Sequence, residues 1–209
     1  MSGKACFINE RPTGKGSRLL QAIFDFKTEL VLLISENDFP EIKQIELKWS
    51  QKNRELENQF SAESPMFKQL VDKLDENYRP TAEEKTFMDG PMWKAWTDTY
   101  YGEEQEKKAA KKIIAQRIKS GNMTMSDVKA LERAEFHIWP THASFYGKPS
   151  DGSSGDLPVI TFDSTYYEVL NHYWGKFGDD VVQRFREHLE RLGYGIEPEN
   201  YSVWDVYKL

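Results

Sequence analysis

Apolar residues recur along most of this chain at the three- and four-residue spacing of amphipathic helices. One such stripe follows Ser17, the expected N-cap, and includes Leu19, Ile23 and Phe24. Residues 29–34 either continue this helix or form a short buried strand, and periodicity alone does not distinguish the two. The first element is therefore predicted to be a helix whose last residue the pattern does not determine.

Polar residues followed by proline or glutamate at the right spacing mark further helix starts. We expect three such starts, at Asp38 with Glu41, at Ser64 with Pro65, and at Thr81 with Glu84. The first helix of this group runs to about Phe60, so only residues 61–63 link it to the next. A link this short predicts an antiparallel helical hairpin.

Glycines punctuate the middle of the chain. After Gly90 we expect an aromatic-rich helix over residues 92–101, and then a helix over residues 103–119, which is rich in Glu, Lys, Ala and Gln. Its basic side chains are expected to form a solvated face. Gly121 ends that helix as its C′ residue, and Thr124 caps the next one.

The C-terminal quarter changes pattern. Residues 157–162 form an apolar run and residues 201–207 alternate, so we expect two strands that pair with each other. Two helices are predicted between them, one capped by Asp163 or Ser164 and reaching His172, and one from Asp179 to Leu192.

These elements predict a mainly α (α+β) fold, a multi-helix bundle with a helical hairpin and a small C-terminal β element. The 209 residues are enough to bury a sizeable core, and we expect one domain over residues 1–209. A subdivision is possible, into a helical part at 17–133 and an α/β part at 134–209 with a long loop at 143–156.

Composition narrows the setting. The single cysteine, Cys6, excludes a disulfide within the chain and a zinc site built from several cysteines. Residues 1–5 lack the apolar run of a signal peptide, and the longest apolar run, residues 30–34, is far too short to span a bilayer. We therefore expect a cytoplasmic protein with no membrane partner.

Charge is distributed unevenly. Residues 1–60 and 61–150 are each balanced, and the whole net charge of −6 falls in residues 151–209, with eleven acidic and five basic side chains. Negative potential repels nucleic acid and attracts basic surfaces. An ordinary solvated acidic surface would show the same balance, so both interpretations stay open.

Three of the four histidines lie in residues 134–176. His137 comes near a predicted strand end, and a Gly/Ser-rich loop, a second strand, Asp163 and a helix bearing His172 follow. This arrangement resembles the His-Me finger (HNH-type) nucleases, in which a histidine deprotonates water and a divalent metal stabilises the phosphate. The resemblance implies His137 as general base and Asp163 and His172 as metal ligands, and His142 is a further candidate ligand.

The same side chains have a structural interpretation. His137 and His142 would be partly buried and hold the long loop in place, while His172 would cap a helix end. Phe136 stands where many members of the nuclease family carry another histidine. On this interpretation the protein has no catalytic residue, metal or cofactor.

The function we expect is that of a non-enzymatic binding protein, an inhibitor or immunity-type protein that captures a basic protein partner such as a toxin or nuclease, and the metal-dependent nuclease is the alternative. Eleven aromatic residues lie between Phe162 and Tyr207, among the acidic residues of the same segment. Aromatic anchors in an acidic field suit the capture of a cationic surface. The partner-binding residues we expect are Tyr166, Tyr167, Trp174, Asp179, Asp180, Trp204 and Asp205.

Overall fold

A computed structural model of the chain describes residues 8–13, 18–74, 78–146, 156–173 and 175–209. Within these ranges it has nine α-helices, one short 3-10 helix and one four-stranded antiparallel sheet in the C-terminal part. The mainly α fold class with a small C-terminal β element is therefore confirmed. No helix of the described ranges is both long and apolar enough to cross a bilayer.

The chain divides into two compact units. One comprises Pro40–Ile113, and the other combines Met1–Phe39 with Ile114–Leu209. These boundaries do not coincide with the subdivision expected at residues 133 and 134. The expectation of one domain over residues 1–209 stays a prediction.

The unit Pro40–Ile113 is entirely helical in its described residues. It contains α2 (Pro40–Glu63), α3 (Pro65–Lys73), α4 (Ala82–Met88) and most of α5 (Pro91–Lys119). Helices α2 and α3 pack on each other across Ser64, as expected of the hairpin. The centre of this unit is a buried group of rings and one leucine: Phe67, Leu70, Trp93 and Trp96.

Local capping explains where two of these four helices begin. The Ser64 hydroxyl accepts the backbone N–H of Phe67 at 3.3 Å, and Thr81 and Glu84 form the predicted reciprocal capping box. The start of α2 differs from the prediction. Asp38 lies in the 3-10 helix Glu36–Asp38, one residue too early to cap a helix that begins at Pro40, and it pairs instead with Arg133 at 3.3 Å.

Helix α5 is continuous where two helices were expected. Gly102, which separates the two predicted segments, lies inside this helix. A Cβ at that position would overlap the ring of Trp49, so only glycine fits there. The Trp49 ring N–H donates to Glu106 at 2.6 Å, one turn further along α5. The glycine therefore allows a close approach of two helices and does not end one.

The second unit begins with α1 (Arg18–Ile34), and residues 29–34 are helical because Leu30 and Val31 continue its buried stripe. The predicted cap Ser17 lies outside the described residues. At the C-terminal end of α5, Gly121 has φ +80° and closes the helix as predicted, and Thr124 caps α6 (Met125–Arg133).

The remaining elements belong to this unit as well. They are β1 (Phe136–Trp139), α7 (His142–Tyr146), β2 (Val159–Phe162), α8 (Ser164–Leu170), α9 (Gly175–Arg191), β3 (Tyr194–Asn200) and β4 (Val203–Lys208). The short helix α7 occupies the start of the loop expected at 143–156, and residues 147–155 lie outside the described ranges. Helix α9 begins four residues before the predicted start at Asp179.

The sheet has the strand order β1-β2-β4-β3, and every neighbouring pair is antiparallel. The predicted pairing of residues 157–162 with residues 201–207 is confirmed by β2 and β4. Strand β3 was not predicted, since Gly195 and Pro198 hide its pattern. Pro198 is tolerated because β3 is an edge strand of this sheet.

One face of the sheet carries the core of this unit. Phe26 of α1 stacks on Phe185 of α9 with ring centroids 3.8 Å apart, and meets Phe136 of β1 edge-on at 5.8 Å. Phe162 and Trp204 extend the same layer along β2 and β4. Side chains on a strand alternate between faces, so the neighbours of these residues point to the other side of the sheet.

Candidate functional site

The histidine-bearing segment has the order of elements that the nuclease resemblance implies. Strands β1 and β2 form an antiparallel pair with His137 opposite Thr161, and α8 follows directly. His142 lies in α7, Asp163 precedes α8, and His172 follows it. The order and pairing of these elements therefore agree with the resemblance. A nuclease site would also require these four side chains to converge on one point.

They do not converge. All four residues are described, and no group of three or more His, Cys, Asp or Glu side chains in the described ranges is arranged to hold a metal ion. Asp163 and His172 flank α8, whose length is about 10 Å at 1.5 Å per residue. Among the described residues, the expected ligands His142, Asp163 and His172 are therefore not brought together, since Asp163 and His172 lie at opposite ends of α8.

Each of these side chains has another partner. Asp163 caps α8 by accepting the backbone N–H of Ser164 at 2.7 Å, and the His172 ring contacts the Asp179 carboxylate. His142 lies 3.9 Å from Asp205 across the outer face of the sheet. Asn171, and not His172, is the C-cap residue of α8, so the expected capping role of His172 is not observed. Most of the loop that His142 was expected to hold lies outside the described residues.

His137 sits in an environment that disfavours the charged form of its imidazole. Burial lowers the pKa of its imidazole, and the nearby Lys27 ammonium lowers it further. Lys27 is fully buried, and its amine donates to Asn9 at 2.8 Å. Burial lowers the pKa of Lys27 to about 7, against the opposing attraction of Glu132. Sequence reasoning missed Lys27, although its position between buried residues of the α1 stripe was a signal.

Two of the expected partner-binding residues belong to the core. Tyr166 is 4% exposed and Trp204 is 3% exposed, so neither ring offers contact surface. The Tyr166 hydroxyl lies 3.2 Å from the Ser35 hydroxyl, and burial raises the pKa of this tyrosine to about 12. Contrary to the prediction, Tyr166 and Trp204 are therefore not part of a binding surface. Trp174 lies outside the described residues.

An exposed group of aromatic rings includes Tyr167, the neighbour of Tyr166 in the chain. Tyr167 of α8 contacts two further tyrosines, Tyr173 with centroids 5.7 Å apart and Tyr201 with centroids 5.9 Å apart. Tyr173 is 68% exposed and Tyr201 is 70% exposed, while Tyr167 is half-buried. We call Tyr167, Tyr173 and Tyr201 the tyrosine patch. Only Tyr167 was identified from the sequence.

Three elements bring the patch together. Tyr167 lies on α8, Tyr173 follows this helix after His172, whose φ is +69°, and Tyr201 lies in the turn between β3 and β4. The Asn171 amide donates to the backbone carbonyl of Tyr167 at 2.9 Å and to that of Tyr201 at 3.0 Å. This one side chain therefore joins the hairpin turn to the end of α8.

Negative charge adjoins the tyrosine patch through His172. Its ring contacts Asp179, and Asp179 and Asp180 are exposed in the second turn of α9. Among the described residues, none forms an ion pair with Asp180. Lys176, in the first turn of the same helix, is an exposed cation.

Asp205 lies at a different place on the sheet, opposite Val159 and Glu197 in the strand register and facing His142. Burial raises the pKa of its carboxyl, His142 opposes this shift, and Glu197 adds to it. Asp205 is therefore a half-buried acid of the outer sheet face, and it is not a neighbour of the tyrosine patch in the strand register.

Comparison with protein-family models, with curated proteins and with solved structures finds no match to this chain. The described ranges show an exposed aromatic patch with acidic neighbours, and four candidate nuclease residues that do not share a site.

Proposed function

We propose that the protein is a non-enzymatic binding protein, an inhibitor or immunity-type protein that captures a basic protein partner such as a toxin or nuclease. The observation that carries this proposal is the tyrosine patch, together with the exposed Asp179 and Asp180 of α9, the first of which contacts His172 next to Tyr173 in the chain. The surface differs from the one expected from the sequence, because Tyr173 and Tyr201 take the place of the buried Tyr166 and Trp204.

Exposed tyrosine rings support a contact role. A large ring that stays exposed to water does not contribute the free energy of burial that stabilises a core. Clustered exposed rings mark interaction surfaces. Tyrosine is also enriched in protein interfaces, since it offers a rigid apolar area together with a polar hydroxyl. A cluster of three at the junction of α8 and a hairpin turn fits this use.

Charge supports a basic partner. Residues 151–209 carry the whole net charge of −6, and Asp179 and Asp180 are exposed members of that excess. Complementary charge raises the rate at which two proteins meet, more than it raises the final affinity. The proposal therefore predicts an association rate that depends on these carboxylates and on salt.

The experiment compares two charge-reversed variants with the native chain. Asp179→Lys/Asp180→Lys alters the proposed surface, and Asp98→Lys/Glu104→Lys makes the same change in net charge on exposed positions of α5. A partner captured by the native chain is identified, and its association rate is measured at several salt concentrations. We expect the first variant to associate about tenfold more slowly at low salt, with a flatter salt dependence.

The control variant should keep most of the native rate. An unchanged rate in Asp179→Lys/Asp180→Lys contradicts the proposal, and so does an equal loss in both variants, because the effect would then come from net charge alone.

A further inference from the structure

We infer that the tyrosine patch receives an arginine side chain of the partner, with the guanidinium plane lying over an exposed tyrosine ring. This inference rests on the proposed function, since it names the chemical group that the binding surface takes. Three features support it: the geometry of the rings, the negative charge near them and the chemistry of arginine.

The rings form a corner with two walls. The planes of Tyr167 and Tyr201 meet at 85°, and the planes of Tyr167 and Tyr173 at 31°. The hydroxyls of Tyr167 and Tyr173 lie 3.5 Å apart, so these two rings are aligned side by side. The high exposure of Tyr173 and Tyr201 leaves ring surface free for an incoming group.

A cation suits this corner better than an apolar side chain. The face of an aromatic ring carries negative partial charge and attracts a cation held within about 6 Å of its centre. The Asp179 carboxylate contacts the ring of His172, which precedes Tyr173 in the chain. An apolar partner that covered the exposed Asp179 and Asp180 would remove two carboxylates from water, and the cost of this desolvation would oppose binding.

Arginine suits the corner better than lysine. Its guanidinium is planar, is weakly hydrated and stacks on aromatic faces, whereas the lysine ammonium is a compact and strongly hydrated charge. A guanidinium that lies on one ring still directs N–H groups from its edge. Those groups can donate to an adjacent carboxylate such as Asp179, so stacking and pairing occur together.

The test uses capped octa-arginine and octa-lysine peptides, whose dissociation constants are measured by calorimetry at low ionic strength. We expect Tyr201→Ala to weaken octa-arginine binding about fivefold. Octa-lysine should bind less tightly and lose less in the same variant. Tyr201→Phe should bind octa-arginine like the native chain, because the ring face remains.

Tyr101→Ala is the matched control. Tyr101 is 68% exposed, as Tyr173 is, but it lies on α5 in the other compact unit. Its replacement should leave both dissociation constants unchanged. Circular dichroism melting curves establish that each variant is folded, which is expected for positions this exposed.

Three results would overturn the inference: no binding of octa-arginine, equal affinities of Tyr201→Ala and Tyr101→Ala, or equal losses for both peptides in Tyr201→Ala. Failure of the inference is distinguishable from failure of the function. A captured protein that depends on Asp179 and Asp180 but not on Tyr201 contradicts the inference alone. Octa-arginine binding through Tyr201, with no protein partner that depends on those carboxylates, contradicts the proposed function alone.

Discussion

In the unit Pro40–Ile113 the rings of Phe67, Trp93 and Trp96 pack together and are buried, with centroids 5.1 to 5.7 Å apart. The rings of the tyrosine patch contact one another at similar distances, yet two of them remain in solvent. Ring contact alone therefore does not define a core. What distinguishes the two groups is whether other elements cover the outer ring faces.

The charged groups of the two regions differ in the same way. Glu106 accepts hydrogen bonds from Lys48 at 2.7 Å and from the Trp49 ring N–H at 2.6 Å, and Lys107 pairs with Glu46 at 2.8 Å. Asp180 has no ion-pair partner among the residues described. Charges satisfied within the chain hold helices together, and charges left unpaired on the surface are available to another molecule.

The largest expected effect comes from breaking the buried ring group. Phe67→Ala removes a fully buried ring, and we expect a loss of about 3–5 kcal/mol in the free energy of unfolding. Tyr201→Ala removes an exposed ring, and the loss should stay below about 0.5 kcal/mol. Urea denaturation measures both. A loss of similar size in the two variants would show that the tyrosine patch is part of a core.

A second prediction contrasts buried and exposed lysines. Burial lowers the pKa of Lys27 from 10.5 to about 7, so between these pH values the unfolded chain binds a proton that the folded chain does not. Stability then rises with pH in this window, by about 1.4 kcal/mol per pH unit at most, and is lowest below pH 7.

Lys27→Met should remove this pH dependence and stabilise the protein at pH 6, as measured by urea denaturation from pH 6 to pH 10. Lys43→Met, at an exposed position of α2, should keep the native pH dependence. An equal slope in native protein and Lys27→Met would mean that Lys27 titrates normally when folded.

The smallest expected effect concerns the link that holds the tyrosine patch together. Asn171→Ala removes the hydrogen bond to the Tyr201 carbonyl in the hairpin turn and the one to the Tyr167 carbonyl in α8, and we expect a loss of about 1 kcal/mol in stability. Octa-arginine affinity should fall about twofold, since Tyr201 is no longer held beside Tyr167. Gln183→Ala, exposed on α9, is the control and should change neither quantity. Unaltered affinity in Asn171→Ala would mean that the two tyrosines act independently.

The tyrosine assignments show why part of the site escaped sequence analysis. Tyr166 and Tyr167 are neighbours on α8, and successive residues on a helix point about 100° apart. Tyr166 is therefore buried in the core while Tyr167 is only half-buried. Trp204 and Asp205 are neighbours on β4 and face opposite sides of the sheet. The buried member of each pair, Tyr166 or Trp204, therefore adds no exposed surface to a binding site.

Tyr173 and Tyr201 escaped for another reason. They are 28 positions apart in the sequence, and nothing local to either residue indicates that they share a neighbour. Both contact Tyr167, because β3 pairs with β4 and places the hairpin turn at the end of α8. Strand β3 itself was hidden by its glycine and proline.

The sequence by itself determined the helices whose ends depend on neighbouring residues. The caps at Ser64, Thr81 and Thr124 and the left-handed Gly121 act within a few residues, so their patterns are sufficient to predict them. The alternation of residues 201–207 likewise predicted β4 and its pairing with β2. Only the tertiary structure decided which rings are covered, that the histidines do not converge, and that Lys27 is buried. Each of these depends on contacts between residues far apart in the chain, whose free energy no local pattern records.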